Sequence, residues 1–175
     1  PERLAAGLRL VVENSVGRIS PRAVDPTVKN FHWGDLVRGQ FEAYDRDADT
    51  VVLLDHEGHV TEGPGFNLFA YARGMLLTPA DGVLLGITRQ TVLELAEREG
   101  IPTRVTRFGA DLLHEADELF VTSTAGGGVA GGTPHGRPRG RGGWGTAPPL
   151  LRPSILPLDC HPAELREIVD NHLVR

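Results

Sequence analysis

The sequence predicts an α+β domain, and three observations carry that prediction. Short β-type runs and amphipathic helical stretches are mixed along the main body without the regular β-α-β alternation of a doubly wound sheet. The length of 175 residues fits one domain, or one domain with an appendage. The composition then changes abruptly: positions 126–153 hold ten glycines and five prolines, which predicts loop or disorder there.

Taken in order, Leu8 to Glu13 (LRLVVE) has β character, and Arg18 to Asp25 reads as loop between breakers at Pro21 and Pro26. Trp33, Leu36, Val37, Phe41 and Tyr44 fall at helical spacing. Val51 to Leu54 is a short buried strand, followed by the turn Asp55-His56-Glu57-Gly58 into Val60. Asn67 to Tyr71 and Met75 to Thr78 form a hairpin about Arg73-Gly74. Thr88 to Glu99 is a helix with Val92, Leu95 and Ala96 on one face and Gly100 as its stop. Thr103 to Arg107 is a strand, Ala110 to Glu115 a short helix and Leu119 to Thr122 a strand. His161 to Val174 is a further helix with Leu165, Ile168, Val169, His172 and Leu173 on its apolar side.

Several function classes are disfavoured. A net charge of −5 is wrong for a general nucleic-acid binder, and the arginines at 137, 139 and 141 form too short a run to change that. No apolar run approaches the roughly 20 residues that span a bilayer, so a cytoplasmic location is expected. Cys160 is the single cysteine, which excludes a disulfide framework or thiolate cluster, and the seven histidines show no metal-ligand spacing. His114-Glu115-Ala116-Asp117-Glu118 is not a zinc-protease motif. Lys29 is the only lysine against seventeen arginines, a ratio that a G+C-rich genome accounts for.

Four segments stand out together: Asp25-Pro26-Thr27-Val28-Lys29-Asn30 running into Trp33-Gly34-Asp35-Leu36; Thr61-Glu62-Gly63-Pro64-Gly65-Phe66-Asn67-Leu68-Phe69; Leu85-Gly86-Ile87-Thr88-Arg89; and Ala116-Asp117-Glu118-Leu119-Phe120 leading to Thr122-Ser123-Thr124-Ala125-Gly126-Gly127. In this order and approximate spacing they resemble the class IV, fold-type IV, pyridoxal-phosphate enzymes over about residues 8–128. That family includes branched-chain and D-amino-acid aminotransferases, aminodeoxychorismate lyase and the (R)-selective amine transaminases; the stretch around Lys29 looks most like the last. The resemblance implies the large domain of such an enzyme, a mixed sheet or pseudo-barrel with flanking helices. It also implies a homodimer, and pyridoxal 5′-phosphate as cofactor. The reaction implied is transfer of an amino group between an amine or amino acid and a 2-oxo acid. A lyase acting on aminodeoxychorismate is the sister reading.

Residue by residue, the resemblance makes Lys29 the Schiff-base lysine and proton shuttle. That chemistry needs a primary amine, and arginine cannot supply it because its guanidinium stays protonated. Glu62 matches the acidic partner of the pyridine nitrogen, which keeps the ring an electron sink; its plain alternative is a solvated turn glutamate. The Gly-Pro-Gly-Phe-Asn run after it lacks the third glycine of a dinucleotide loop and leads into a strand. Gly86 to Arg89 opens a helix, whose free N–H groups and dipole suit a phosphate. The resemblance assigns that phosphate to the backbone of Ile87 and Thr88, the Thr88 hydroxyl and Thr124. Thr88 also reads as an N-cap, and Arg89 as a structural residue.

The chain also departs from the family. No methionine stands at position 1, and no counterpart of the family's N-terminal small domain precedes Lys29, which predicts a piece of a longer protein. After Gly127 the family's strand, Leu-Asp-Gly turn and helix start are replaced by GVAGGTPHGRPRGRGGWGTAPPLL, and the shift in composition fits a reading-frame change. The expected organisation is therefore a cofactor-binding portion over 1–128, an irregular segment over 129–153 and a helix within 154–175. A catalytically incompetent remnant of such an enzyme is the reading from another class.

Overall fold

The computed structural model describes residues 8–124 and 127–131. The helix expected at 161–174 and most of the glycine-rich segment lie outside the described residues.

Strand β1 (Leu10–Gly17) runs parallel to β2 (Thr50–Leu54), with helix α1 (Gly34–Asp45) between them in sequence. Helix α1 is the crossover and packs on this pair. Strands β3 (Asn67–Ala72), β4 (Met75–Pro79), β5 (Thr103–Thr106), β6 (Glu118–Ser123) and β7 (Gly127–Gly131) make a second sheet in the order β5-β4-β3-β6-β7. Only the β4–β5 pair in that sheet is parallel, because helix α2 (Ile87–Arg98) intervenes and returns the chain. A short helix α3 (Ala110–Glu115) precedes β6. The mixed α+β architecture is the one expected.

Alternation along β3 explains the layering. Leu68, Ala70 and Ala72 face a cluster that includes Leu10, Val52, Val60, Leu77, Phe108, Leu113 and Val121, which joins the two sheets. Phe69 faces the other way, stacked on Phe120 at 5.0 Å, and with Leu76 it meets Val92 and Ala96 of α2. The third cluster, Val16, Leu36, Ala43, Val51 and Leu53, seats α1 on β1 and β2. The β3–β4 turn has positive φ at both Arg73 and Gly74, the two-residue geometry whose twist matches the strands it joins.

Two expectations are corrected. Helix α1 exists where its spacing predicts, but Leu36, Gly39 and Ala43 are its buried residues, while Val37, Phe41 and Tyr44 face outward. The reason is close approach: a Cβ on Gly39 would lie 2.7 Å from Leu53 Cδ2, so the small residues set the contact face. The glycine-rich run also does not begin as loop. Gly127 to Gly131 pairs antiparallel with β6 from Ser123↔Gly127 to Leu119↔Gly131, so the boundary at 128 falls inside a strand. Backbone hydrogen bonds to an existing strand edge are what such a ladder is made of.

Candidate active site

The site begins at the end of β1. The Arg18 N–H donates to Leu54 O at 2.8 Å, which ties the residue to β2. Its guanidinium then forks. One terminal nitrogen lies 2.6 Å from Asp35 Oδ2 in the first turn of α1, and the other 3.0 Å from Glu62 Oε1. Asp35 Oδ2 also accepts from the Ile19 N–H at 2.7 Å. Burial pushes the Asp35 carboxyl upward, but the Ile19 N–H and the Arg18 hydrogen bond and charge prevail, leaving it below its ordinary value.

Glu62 is 6% exposed, so the solvated-turn alternative does not hold. Its Oε2 accepts from the Leu84 N–H at 2.8 Å and from Asn67 Nδ2 at 3.3 Å. Burial dominates its titration and raises the carboxyl above the usual glutamate value, against the opposing pull of the Leu84 N–H and Arg18. An ionised carboxylate has about four acceptor positions. Three are taken here, which leaves one on Oε1.

Asn67 links this acid to the start of α2. Its Nδ2 also donates to Leu84 O at 2.8 Å, and a Cβ on Gly86 would collide with Asn67 Oδ1. Position 86 therefore has to be glycine for the loop to approach so closely. Gly86 is the N-cap, with extended backbone, and Ile87 is the first helical residue. Thr88 thus sits inside the first turn and is not the N-cap, a correction that leaves its hydroxyl unused for capping. The unbonded N–H groups of that turn face outward along the helix axis. Arg89 is 4% exposed and donates to Pro79 O at 3.1 Å, which supports its reading as structural.

Lys29 is on the loop between Arg18 and α1 and is exposed. Side-chain to backbone hydrogen bonds shape that loop. Asp25 Oδ1 accepts from the Thr27 N–H and hydroxyl, Asn30 Nδ2 donates to Val28 O, and the His32 N–H donates to Asn30 Oδ1. Among the described residues nothing pairs with the Lys29 ammonium.

One pocket of about 220 Å³ is lined by all five of the residues singled out in the sequence, Lys29, Glu62, Ile87, Thr88 and Thr124, together with Arg18, Asn67 and Thr122. Thr122 stands opposite Asn67 in the β3–β6 register and is 2% exposed, yet its hydroxyl has no partner among the described residues. Sequence reasoning assigned no role to Arg18, Asn67 or Thr122. Thr122 belongs to the Thr-Ser-Thr run, the one signal that pointed at it.

A pocket with a helix N-terminus, a buried carboxylate and an unpaired amine has the chemistry of a small-molecule site for an anionic, nitrogen-containing ligand. Residues 2–130 match the family model described as amino-transferase class IV, and the chain belongs to that family. It is 37% identical over 121 residues to a putative branched-chain-amino-acid aminotransferase of Methanocaldococcus jannaschii, an alignment covering 68% of this chain and 42% of the relative. The crystal structure of the T.th. branched-chain amino acid aminotransferase complexed with N-(5′-phosphopyridoxyl)-L-glutamate superposes with a TM-score of 0.78 at 31% identity, covering 90% of this chain and 52% of that one. A putative 4-amino-4-deoxychorismate lyase from Legionella pneumophila shares the fold, with a TM-score of 0.73 at 22% identity. The chain thus spans about half the length of these proteins, or less. The first two are described as branched-chain aminotransferases, whereas the segment around Lys29 alone pointed to amine transaminases.

Proposed function

We propose that this chain forms the cofactor-holding half of a pyridoxal-phosphate-dependent aminotransferase, which moves an amino group between an amino acid or amine and a 2-oxo acid. The observation that carries this reading is the gathering of Lys29, Glu62 and the α2 N-terminus, remote in sequence, around one pocket. The residues present fit the group. Among the described residues, the remaining acceptor position on Glu62, the Lys29 amine, the first-turn N–H groups of α2 and the Thr122 hydroxyl are each left without a partner.

Pyridoxal phosphate, when bound, would supply amino-group transfer chemistry through its aldehyde and an electron-withdrawing ring. Lys29 Nζ would be the primary amine that holds the cofactor and the base that holds or moves a proton beside it. Glu62 holds a proton at the ring nitrogen. The backbone N–H groups of Ile87 and Thr88, with the hydroxyls of Thr88 and Thr124, bind the phosphate. The branched-chain relatives make an aliphatic amino acid the first donor to try. The segment that matches the relatives supplies the cofactor side, and the assembled enzyme is a cytoplasmic homodimer.

The test is titration of the chain with pyridoxal phosphate, followed by visible absorbance. A saturable band present in wild type and absent in Lys29→Ala supports the reading, and folded wild-type protein without a band overturns it. Bleaching of the band by leucine or valine, rather than by a simple primary amine, assigns the donor class.

A further inference from the structure

The two buried guanidinium groups near Glu62 are used differently. Arg89 spends its hydrogen bond on Pro79 O, whereas Arg18 touches the acid directly. Arg18 is also anchored at both ends. Its N–H is held by Leu54 O, its Nε lies 3.4 Å from Gly82 O, and its guanidinium bridges Asp35 and Glu62, with all three side chains at most 10% exposed. A planar fork that binds two carboxylates through separate nitrogens fixes one relative to the other. With Oε2 held by the Leu84 N–H and Oε1 by Arg18, the Glu62 carboxylate is fixed at both oxygens, and one acceptor position on Oε1 is left in a residue that lines the pocket.

We propose that Arg18 is a positioning residue: it fixes Glu62 for the ring nitrogen of the bound cofactor, and Asp35, by sharing the guanidinium, limits how much of its charge Glu62 receives. The proposal rests on the reading of Glu62 given above. The charged groups around Glu62 are Arg18 after β1, Asp35 in α1 and Arg89 in α2, with Lys29 and His32 on the loop that lines the same pocket. Loss of Arg18 removes the attractive charge in contact with the acid, and loss of the Asp35 charge removes a repulsive one. The two changes therefore move the ionisation of Glu62 in opposite directions, which a purely structural arginine would not do.

The experiment follows the Glu62 carboxyl by carbon-13 NMR against pH in the full chain without cofactor, with the resonance assigned by its loss in Glu62→Gln. Arg18→Met should move the Glu62 midpoint upward by about one pH unit or more. Asp35→Asn should move it downward, and Arg18→Lys should recover part of the Arg18→Met displacement. If Arg18→Met does not fold by circular dichroism, Arg18→Lys and Asp35→Asn decide the question through their opposite signs. An unmoved Glu62 midpoint in folded Arg18→Met, or in both other variants, overturns the proposal. A companion measurement on protein loaded with nitrogen-15-labelled pyridoxal phosphate should show the ring nitrogen protonated in wild type and deprotonated in Arg18→Met over the same pH range. Failure of wild-type protein to load any cofactor on Lys29 would count against the function proposed above, while the Glu62 titration still decides the role of Arg18.

Discussion

Glu62 and Lys29 line the same pocket, yet Glu62 is 6% exposed with both oxygens engaged, whereas Lys29 is exposed and pairs with no described side chain. The acid belongs to a floor in which Arg18, Asp35, Asn67 and Leu84 hold one another. The amine sits on a loop whose backbone is shaped by Asp25 and Asn30, and among the described residues it has no partner. The contrast suits the role proposed for each group. A residue that holds a proton at a fixed ring atom gains from being immobile, and a nucleophile that must bond, release and move a proton gains from having no competing partner. Disturbing the floor should therefore cost fold and binding together, and disturbing the loop should cost chemistry alone.

The floor is broken most severely at Gly63. A Cβ there would overlap Phe66 Cζ and the backbone oxygen of Val51, which cannot step aside. Gly63→Ala should cost about 3 kcal/mol or more in urea unfolding, and an unchanged midpoint would show the floor to be loosely packed.

Asp35→Asn is milder, because Arg18 keeps its second carboxylate. A loss of about 2 kcal/mol at neutral pH is expected for one charge-assisted hydrogen-bond group. The pH dependence has a definite sign. The Asp35 carboxyl is lowered in the fold, so its stabilisation is present above the unfolded aspartate value and disappears as pH falls through the folded one. The variant should show a flatter acid limb than wild type in thermal melts against pH. Glu62 has the opposite linkage: its carboxyl is raised, so its contribution is present below the unfolded glutamate value and is lost as pH climbs through the folded value. A steeper acid limb in Asp35→Asn would contradict the pairing with Arg18.

The smallest stability effect is expected at Thr122. Valine keeps the shape and removes a buried hydroxyl that has no partner, so Thr122→Val should leave the empty chain unchanged or stabilise it by up to about 1 kcal/mol. Cofactor affinity should fall by about fivefold if the ligand uses that hydroxyl, as isothermal titration would read. Unchanged affinity would remove Thr122 from the site and leave the floor as described.

Much of this was legible in the sequence because periodicity and turn chemistry are local. The hairpin at Arg73-Gly74, the helix stopped by Gly100 and the short helix Ala110 to Glu115 follow from neighbours within a few residues. The buried face of α1 was not, since hydrophobic spacing pointed to Phe41 and Tyr44 while the close approach of Gly39 to Leu53 turned them outward. Strand β7 was hidden because its glycines advertise flexibility and its pairing is made by backbone. The five residues that motif order singled out all line one pocket, but their mutual placement was not legible from it. Arg18 was missed because its partners lie 17 and 44 residues away along the chain, where no local pattern reaches.

The central claim is that Lys29 holds pyridoxal phosphate covalently while the floor fixes the other end. Borohydride reduction of the cofactor-loaded chain, followed by peptide mass mapping, tests it most directly. A single phosphopyridoxyl adduct on Lys29 is predicted in wild type and none in Lys29→Ala, whose thermal melt should match wild type in the absence of cofactor. An adduct at the N-terminal amine only, or no adduct in folded wild-type protein, would contradict it.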